Sequence, residues 1–512
     1  MAKILDCTFR DGGYYTNWDF HSDVVDGYIK AMNRLPVDYL ELGYRNNPSK
    51  EYMGKFGYCP VSELKHIKQC CVKKLSIMLN EKSTALEDLQ HLLEPIIGIV
   101  DMVRIAIDPS NFGRALILAQ RVKEMGFEVG LNVMYMSKWK TEYRDFYSKL
   151  NLLDDFADLF CMVDSYGGVT PDDIIDIVQE IRKYTKCPIG FHGHNNLQLG
   201  LINTITAIKQ GVDYVDATIL GMGRGAGNLS IELLLTYLNA HDGLSVDFNV
   251  LGDVITAFTP LMEQYKWGTN LPYMLAGANR IPQKDVMEWV TNRVYSFNSI
   301  IRAIDNRKNM TKDNAQFPTH KVTHRFDKVL VIGGGNYAVE HSCAIKEFIA
   351  QETNIAVIFA TARNAKYYLD IDVPKYYILV GSEGRRLTSN VGEENFNGVC
   401  VLPPYPRIMG TEVPDYAINH TVELTSVDFT EYFKDSVTAI AIQLAINIRS
   451  CEIYLTGYDG YPREILSEKE VALTSENRII FQAYKKMYGS CLKSLTPSLY
   501  KDLEVVSVYQ YI

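Results

Sequence analysis

The sequence predicts an α/β protein: a (β/α)8 TIM barrel with a helical extension, followed by a Rossmann-like α/β domain. Three observations lead there. Eight short apolar runs alternate with amphipathic stretches through the first part of the chain, and their starts fall 26 to 36 residues apart, the length of one βα unit. A polar, charged segment then precedes a second α/β rhythm, which opens with a strand running into Gly333-Gly334-Gly335. Polar groups that an apolar core would not accept gather at the C-terminal ends of the first eight runs, where a barrel of this kind carries its site.

The eight candidate strands are Ile4–Phe9, Tyr39–Tyr44, Leu75–Asn80, Met102–Ile107, Glu128–Met136, Leu159–Ser165, Pro188–His194 and Tyr214–Leu220. Between them, Ser22 to Leu35 places Val24, Val25, Tyr28, Ile29, Met32 and Leu35 at helical spacing behind Ser22 as a cap. A second helix, Pro171 to Tyr184, starts on a proline, as a first turn allows. An open doubly wound sheet is the alternative for this rhythm. The expected boundaries are 1–245 for the barrel, 246–304 for a helical extension through Trp267, Tyr273 and Trp289, and 305–327 for a linker containing Pro318. Residues 328–512 form the second α/β domain, with strands at Val329–Ile332, Ile355–Ala360, Tyr376–Val380, Gly398–Leu402 and Glu452–Thr456.

The formal net charge of −9 leaves no basic footprint for nucleic acid or an anionic membrane. The longest apolar run, Val437 to Ile446, is broken by Gln443 and falls short of a membrane span, and Met-Ala-Lys-Ile-Leu-Asp lacks the apolar core of a leader. Ten cysteines without a C-x-x-C pair fit reduced thiols better than a disulfide framework or a cysteine zinc site. A cytoplasmic, soluble, homo-oligomeric protein is expected.

The strand ends carry the chemistry. His192 and His194 stand two apart on a strand, so their side chains share a face and can reach one ion. Asp11, across the mouth, adds an oxygen ligand, and two imidazoles with one carboxylate leave positions open for substrate and water. The plain alternative is one histidine in the core and one on the surface. Arg10, beside Asp11, supplies fixed positive charge for a developing oxyanion, and Gly12 and Gly13 let the backbone turn past a ligand. Arg10 could equally form a structural ion pair with Glu41.

Asp6-Cys7-Thr8-Phe9-Arg10-Asp11-Gly12, His192-Gly193-His194-Asn195-Asn196 and the run Asp216 to Asn228 resemble the metal-dependent lyase and synthase superfamily. That superfamily includes 3-hydroxy-3-methylglutaryl-CoA lyase, the isopropylmalate synthases and 4-hydroxy-2-oxovalerate aldolase. The glycine-rich loop Gly221 to Asn228, which lacks the cysteine of the CoA lyases, and Val103-Arg104-Ile105-Ala106 look most like the hydroxy-oxovalerate aldolases. The resemblance implies Mn2+ or Mg2+ on Asp11, His192 and His194, with Asn228 as a further ligand. It implies that Arg10 steadies a pyruvate enolate, with Ser165 and Arg104 binding substrate. The aldolases carry a histidine base where this chain has Tyr14, so the proton carrier is Tyr14, Tyr15, His21 or a water. The expected activity joins or cleaves a pyruvate-type enolate and an aldehyde. A Claisen-type synthase using acyl-CoA and a non-catalytic scaffold are the alternatives.

In the second domain, Gly333 and Gly335 with Ala338 form a dinucleotide-like turn after a strand. No acidic residue follows the next strand, where Ala360-Thr361-Ala362-Arg363 stands, so a ribose partner is missing. The turn reads as a purely structural one, with a nucleotide or sugar-phosphate site, or NAD, as the alternatives, and Thr456 to Gly460 as the opposing lip of such a cleft.

Overall fold

Eight parallel strands close into a barrel in chain order. They are β1 (Lys3–Asp6), β2 (Tyr39–Tyr44), β3 (Lys74–Asn80), β4 (Met102–Ile107), β5 (Glu128–Val133), β6 (Leu159–Asp164), β7 (Ile189–Gly193) and β8 (Tyr214–Ala217). The computed structural model describes residues 2–50, 52–292, 297–308, 316–407, 412–461 and 468–512. The chain divides into two units, Met1–Glu288 and Trp289–Ile512.

The barrel interior is layered. Leu5, Tyr39, Met102, Leu159 and Tyr214 pack together as an apolar plug. Two residues further along four of those strands, on the same face, stand Glu41, Arg104, Cys161 and Asp216, all buried. The period of two therefore stacks a charged layer directly on an apolar one, at the end of the barrel where the strands finish. The outer faces of the strands carry continuous apolar runs because helices cover them.

Strand one is shorter than Ile4–Phe9. It ends at Asp6, whose Oδ1 accepts the Thr8 N–H at 2.9 Å, and Thr8–Thr16 is a helix, α1. Phe9 belongs to that helix, with its ring 4.7 Å from Phe20 and 4.4 Å from Tyr28. Arg10 to Gly13 are consequently helical and not a turn. The glycines answer to packing: a Cβ on Gly12 would lie 2.5 Å from Met222 Sδ, and one on Gly13 would lie 2.0 Å from the Trp18 ring. The next helix, α2 (Ser22–Met32), is capped by His21, not Ser22. The proline start at Pro171 is as expected, with Thr170 and Asp173 forming a reciprocal capping box.

The helical extension divides between the two units. Helices Phe248–Tyr265, Leu271–Ala278 and Gln283–Met287 belong to the barrel unit, and Phe297–Lys308 to the second. The first group is held on the loops after β7 and β8. Asn196 Nδ2 donates to the Tyr273 carbonyl at 2.9 Å, Gln283 Nε2 to Asn196 Oδ1 at 2.7 Å, and Trp267 Nε1 to the Leu220 carbonyl at 2.9 Å.

The second unit holds an eight-stranded parallel sheet, in which every recorded pair is parallel. Its strands are β9 (Phe326–Ile332), β10 (Ile355–Phe359), β11 (Lys375–Ile378), β12 (Val399–Leu402), β13 (Thr421–Glu423), β14 (Arg449–Thr456), β15 (Leu492–Ser494) and β16 (Leu503–Val505). The spatial order β13-β12-β11-β10-β9-β14-β15-β16 reverses direction between β9 and β14. Successive residues of β9 feed opposite cores, Val329 and Val331 on one face, Leu330 and Ile332 on the other. The expected linker is partly structured: His320 N–H donates to the Glu423 carbonyl, and Glu423 N–H donates to the Pro318 carbonyl. Residues 309–315 of that span lie outside the described residues. Val437–Ile448 is a buried helix, and no described helix is long and apolar enough to cross a membrane.

Candidate active site

Six side chains at the C-terminal ends of β1, β2, β4, β7 and β8 form a closed ring of contacts. Arg10 pairs with Asp11 and, through Nε, with Glu41 at 2.7 Å. Glu41 meets Arg104 at 3.2 Å, Arg104 meets Asp216 at 2.7 Å, Asp216 meets His192 Nδ1 at 2.9 Å, and His192 Nε2 faces Asp11 at 3.4 Å. With His192 neutral the ring holds three carboxylates against two guanidiniums, so one negative charge stays in a water-poor site.

The ring sets protonation states. Burial alone would raise Asp216, but Arg104 and His192 outweigh it and hold its carboxyl at about 2. Asp11 is likewise lowered against its burial by Arg10, His192 and His194. Burial, reinforced by His192, brings His194 down to about 3, leaving a neutral imidazole. Asp216, a carboxylate, can only accept from His192 Nδ1, so that nitrogen carries the hydrogen. In the neutral imidazole the Nε2 lone pair then faces a carboxylate oxygen with no hydrogen between them.

Three atoms in the site are buried and unsatisfied: His194 Nδ1, Asn228 Oδ1 and Asp216 Oδ1. The His192 and His194 rings lie 5.1 Å apart and nearly perpendicular, and Asn228 Nδ2 donates to Asp11 Oδ2 at 2.7 Å. Buried acceptors left without donors in one site suit a divalent cation. Among the described residues, the trio whose potential ligand atoms lie within 4.8 Å of one another is Cys7, His192 and Asp216. That trio offers a cation less, because Asp216 Oδ2 is engaged by Arg104 and His192, leaving Oδ1, while burial holds the Cys7 thiol well up and protonated.

Arg104 does not stand where substrate could reach it. It is 0% exposed, and its guanidinium is spent on Glu41, Asp216, Asn132 Oδ1 and Cys161 Sγ. It is a positioning residue beneath the site, as is the fully buried Glu41. Ser165, half-buried just past β6, accepts the Tyr135 N–H on its Oγ at 2.9 Å. The turn that carries it is held by Asp164, which accepts from Gly168 and Val169 N–H. The ion pair of Arg10 with Glu41 forms through Nε, and Arg10 also lies against Asp11.

Among the candidate proton carriers, Tyr14 lies with its hydroxyl 3.0 Å from that of Tyr44. Tyr15 is turned away, donating to the Gly225 carbonyl at 3.2 Å. His21 is excluded by position: its side chain is 74% exposed and accepts the Asp23 N–H as the α2 cap. Sequence reasoning passed over Tyr44 because the register of β2 against β3 shifts between Glu41 and Tyr44, breaking the alternation that would have placed it. Asp216, Cys161 and Asn132 carried a readable signal, since each stands two residues from a barrel-interior neighbour on its strand.

The comparisons with known proteins bear on the barrel unit. A family model described as HMGL-like matches residues 101–256. A 4-hydroxy-2-oxovalerate aldolase of Chloroflexus aurantiacus is 30% identical over 277 residues, which cover 51% of this chain and 76% of that one. The chain belongs to the HMGL-like family. As an HMGL-like protein it is an enzyme of the lyase class. An oxaloacetate decarboxylase of Mycobacterium tuberculosis is 25% identical over 259 residues, 49% of this chain and 74% of its own. The crystal structure of the N-terminal domain of a candidate aldolase from Bacteroides vulgatus is 71% identical, with a TM-score of 0.56, and covers 59% of this chain and 99% of that one. The HMGL-like match falls on the barrel unit and leaves the second unit to be read from its own geometry.

That second unit has a cleft of about 720 Å³ outside the C-terminal ends of β9 and β14, at the point where the strand order reverses. Gly333, Gly334 and Gly335 line one side, and Gly457 to Tyr461 the other, the expected lip. A neighbouring hollow of about 840 Å³ shares Gly334, Thr361 and Arg363 with it. Asp459 occupies the anion position at the glycine turn: its Oδ2 accepts the Tyr337 N–H at 2.9 Å, and a Cβ on Gly335 would lie 2.5 Å from its carboxyl group.

Proposed function

We propose that the barrel is a divalent-metal-dependent aldolase joining or cleaving a pyruvate-type enolate and an aldehyde. The single observation that supports this is a set of buried acceptors in one site: the Asp11 carboxylate facing His192 Nε2 at 3.4 Å, with His194 Nδ1 and Asn228 Oδ1 unsatisfied beside it. Asp11, His192 and His194 would hold the ion, with Asn228 beside them; Mn2+ or Mg2+ suits that donor set. Bound there, the cation would act as a Lewis acid on the carbonyl of a 2-oxo acid.

The chain's own groups supply the rest. Arg10, locked by Asp11 and Glu41, presents fixed positive charge to the oxygen on which negative charge develops. Ser165, held by Asp164's turn, offers its hydroxyl hydrogen to the substrate carboxylate. In the addition direction the 2-oxo acid gives a methyl proton to water, its carbon bonds to the aldehyde carbon, the aldehyde oxygen gains a proton, and water returns a proton to the group that supplied it. Burial, with Tyr14 next to it, pushes Tyr44 well up, so Tyr44 keeps its proton and can donate to the Tyr14 oxygen. Tyr14 can then pass its own hydrogen to the new alkoxide. Incubation with pyruvate and aldehydes, against acetyl-CoA and 2-oxo acids, tests the reading. Consumption of pyruvate with aldehyde supports it, and release of thiol from acetyl-CoA would favour the Claisen synthase instead.

For the second unit we infer a small-molecule site in the cleft at the β9–β14 switch. Of a nucleotide and a sugar phosphate, the latter is better supported. Asp459 takes the backbone donor a pyrophosphate would use and suits hydroxyl groups, while the exposed Arg363 at the rim suits a phosphate. Calorimetric titration of the full chain with sugar phosphates and nucleoside phosphates tests this, and binding of the nucleotides alone would reverse the choice.

A further inference from the structure

We propose that Arg224 selects the carbonyl acceptor by pairing with an anionic group, a carboxylate or a phosphate, at the acceptor's far end. The proposal rests on the aldolase reading of the site and names the class of its second substrate.

Arg224 stands in the loop after β8, and that loop is fixed at two points just beyond it. Four residues on, Asn228 donates to Asp11. One residue on, Gly225 has φ +63°, and a Cβ there would lie 2.4 Å from Gln283 Oε1, so only glycine lets the loop pass this closely beneath the extension. The backbone of Arg224 therefore holds a set position relative to the ring of charges.

Its side chain is half-buried, with the guanidinium carbon 3.7 Å from the centre of the Tyr14 ring. At that distance the cation lies against the aromatic face, an arrangement that occupies the plane of the guanidinium and leaves its in-plane N–H edges to bond elsewhere. Tyr14 is the residue whose hydroxyl, beside Tyr44, is read as the proton carrier to the acceptor oxygen. Arg224 is thus placed on the acceptor side.

Charge accounting gives the ligand class. Arg10 and Arg104 are neutralised by Asp11, Glu41 and Asp216. No carboxylate among the described residues forms an ion pair with Arg224. A rigid, partly desolvated fork without a counter-ion recognises a carboxylate or phosphate, and a neutral alkyl aldehyde would leave it unpaired.

The test compares kcat/KM of the full chain for pyruvate addition to succinic semialdehyde and glyceraldehyde 3-phosphate with that for butanal and glyceraldehyde. The anionic member of one pair should be preferred, and which pair shows it separates carboxylate from phosphate. Arg224→Gln should cut that preference by about tenfold to a hundredfold, as expected for a lost charge-assisted bond, and Arg224→Lys should restore part of it. Calorimetric binding of the preferred anionic aldehyde, which needs no turnover, should weaken in Arg224→Gln. Equal preference in parent and Arg224→Gln overturns the proposal. Arg224-dependent binding without any aldol turnover overturns the aldolase reading and leaves the anion contact standing.

Discussion

Asp216 accepts the Nδ1 hydrogen of His192 at 2.9 Å, so in the neutral imidazole the nitrogen turned toward Asp11 is the one without a hydrogen. In the metal site proposed above, this carboxylate–histidine pair would orient His192 from behind. Asp216→Asn can donate as well as accept and no longer enforces that tautomer. Affinity for Mn2+, measured by calorimetry on the full chain, should fall roughly 10- to 100-fold. An unchanged affinity would remove Asp216 from the metal's support.

Arg104 separates a positioning role from a binding one. Arg104→Leu strands Glu41 and Asp216 as buried carboxylates without their shared cation, which should cost about 3–5 kcal/mol in unfolding by denaturant. A residue that only touched substrate would raise KM and leave the unfolding midpoint in place, and that outcome would contradict the burial argument.

Tyr14→Phe deletes one hydroxyl and keeps the ring on which Arg224 lies. If Tyr14 moves the acceptor's proton, aldol turnover should fall about 10²- to 10⁴-fold. Deuterium exchange at the pyruvate methyl group should fall less, because that step involves no alkoxide. Parent-like rates in both assays would send the proton to a water.

Much of this was legible in the sequence. The eight-fold spacing gave the barrel, and strand alternation, a short-range rule, put the His-x-His pair and Asp11 forward as candidate ligands. What escaped depended on contacts between distant strands. Arg104 reads as a substrate group until β2 and β8 close around it with Glu41 and Asp216. Tyr44 is displaced by a register shift that no pattern announces, and Phe9 reads as strand although its ring packs from a helix. In the second unit the strands Thr421–Glu423, Leu492–Ser494 and Leu503–Val505 are three residues each, too short to show a period.

Asp164 makes stability depend on pH in a direction opposite to most carboxyls. Burial raises it from 3.8 to about 6, despite the backbone N–H groups it accepts. The folded state then binds more protons than the unfolded one between these values, so its contribution falls as pH rises through that window. Relative to Asp164→Asn, the parent should lose stability from about pH 4 to pH 6 and level off above it, by an amount on the order of 3 kcal/mol. A difference that grows with pH would mean the carboxyl is held down instead.

The most direct measurement is deuterium exchange at the pyruvate methyl group, followed by mass spectrometry in D2O, before and after exhaustive chelation of the full chain. The account predicts that exchange stops on chelation, returns with Mn2+ or Mg2+, and is absent in His192→Ala and Asp11→Asn variants that still unfold cooperatively. Exchange at the same rate after chelation, or in those variants, would contradict it.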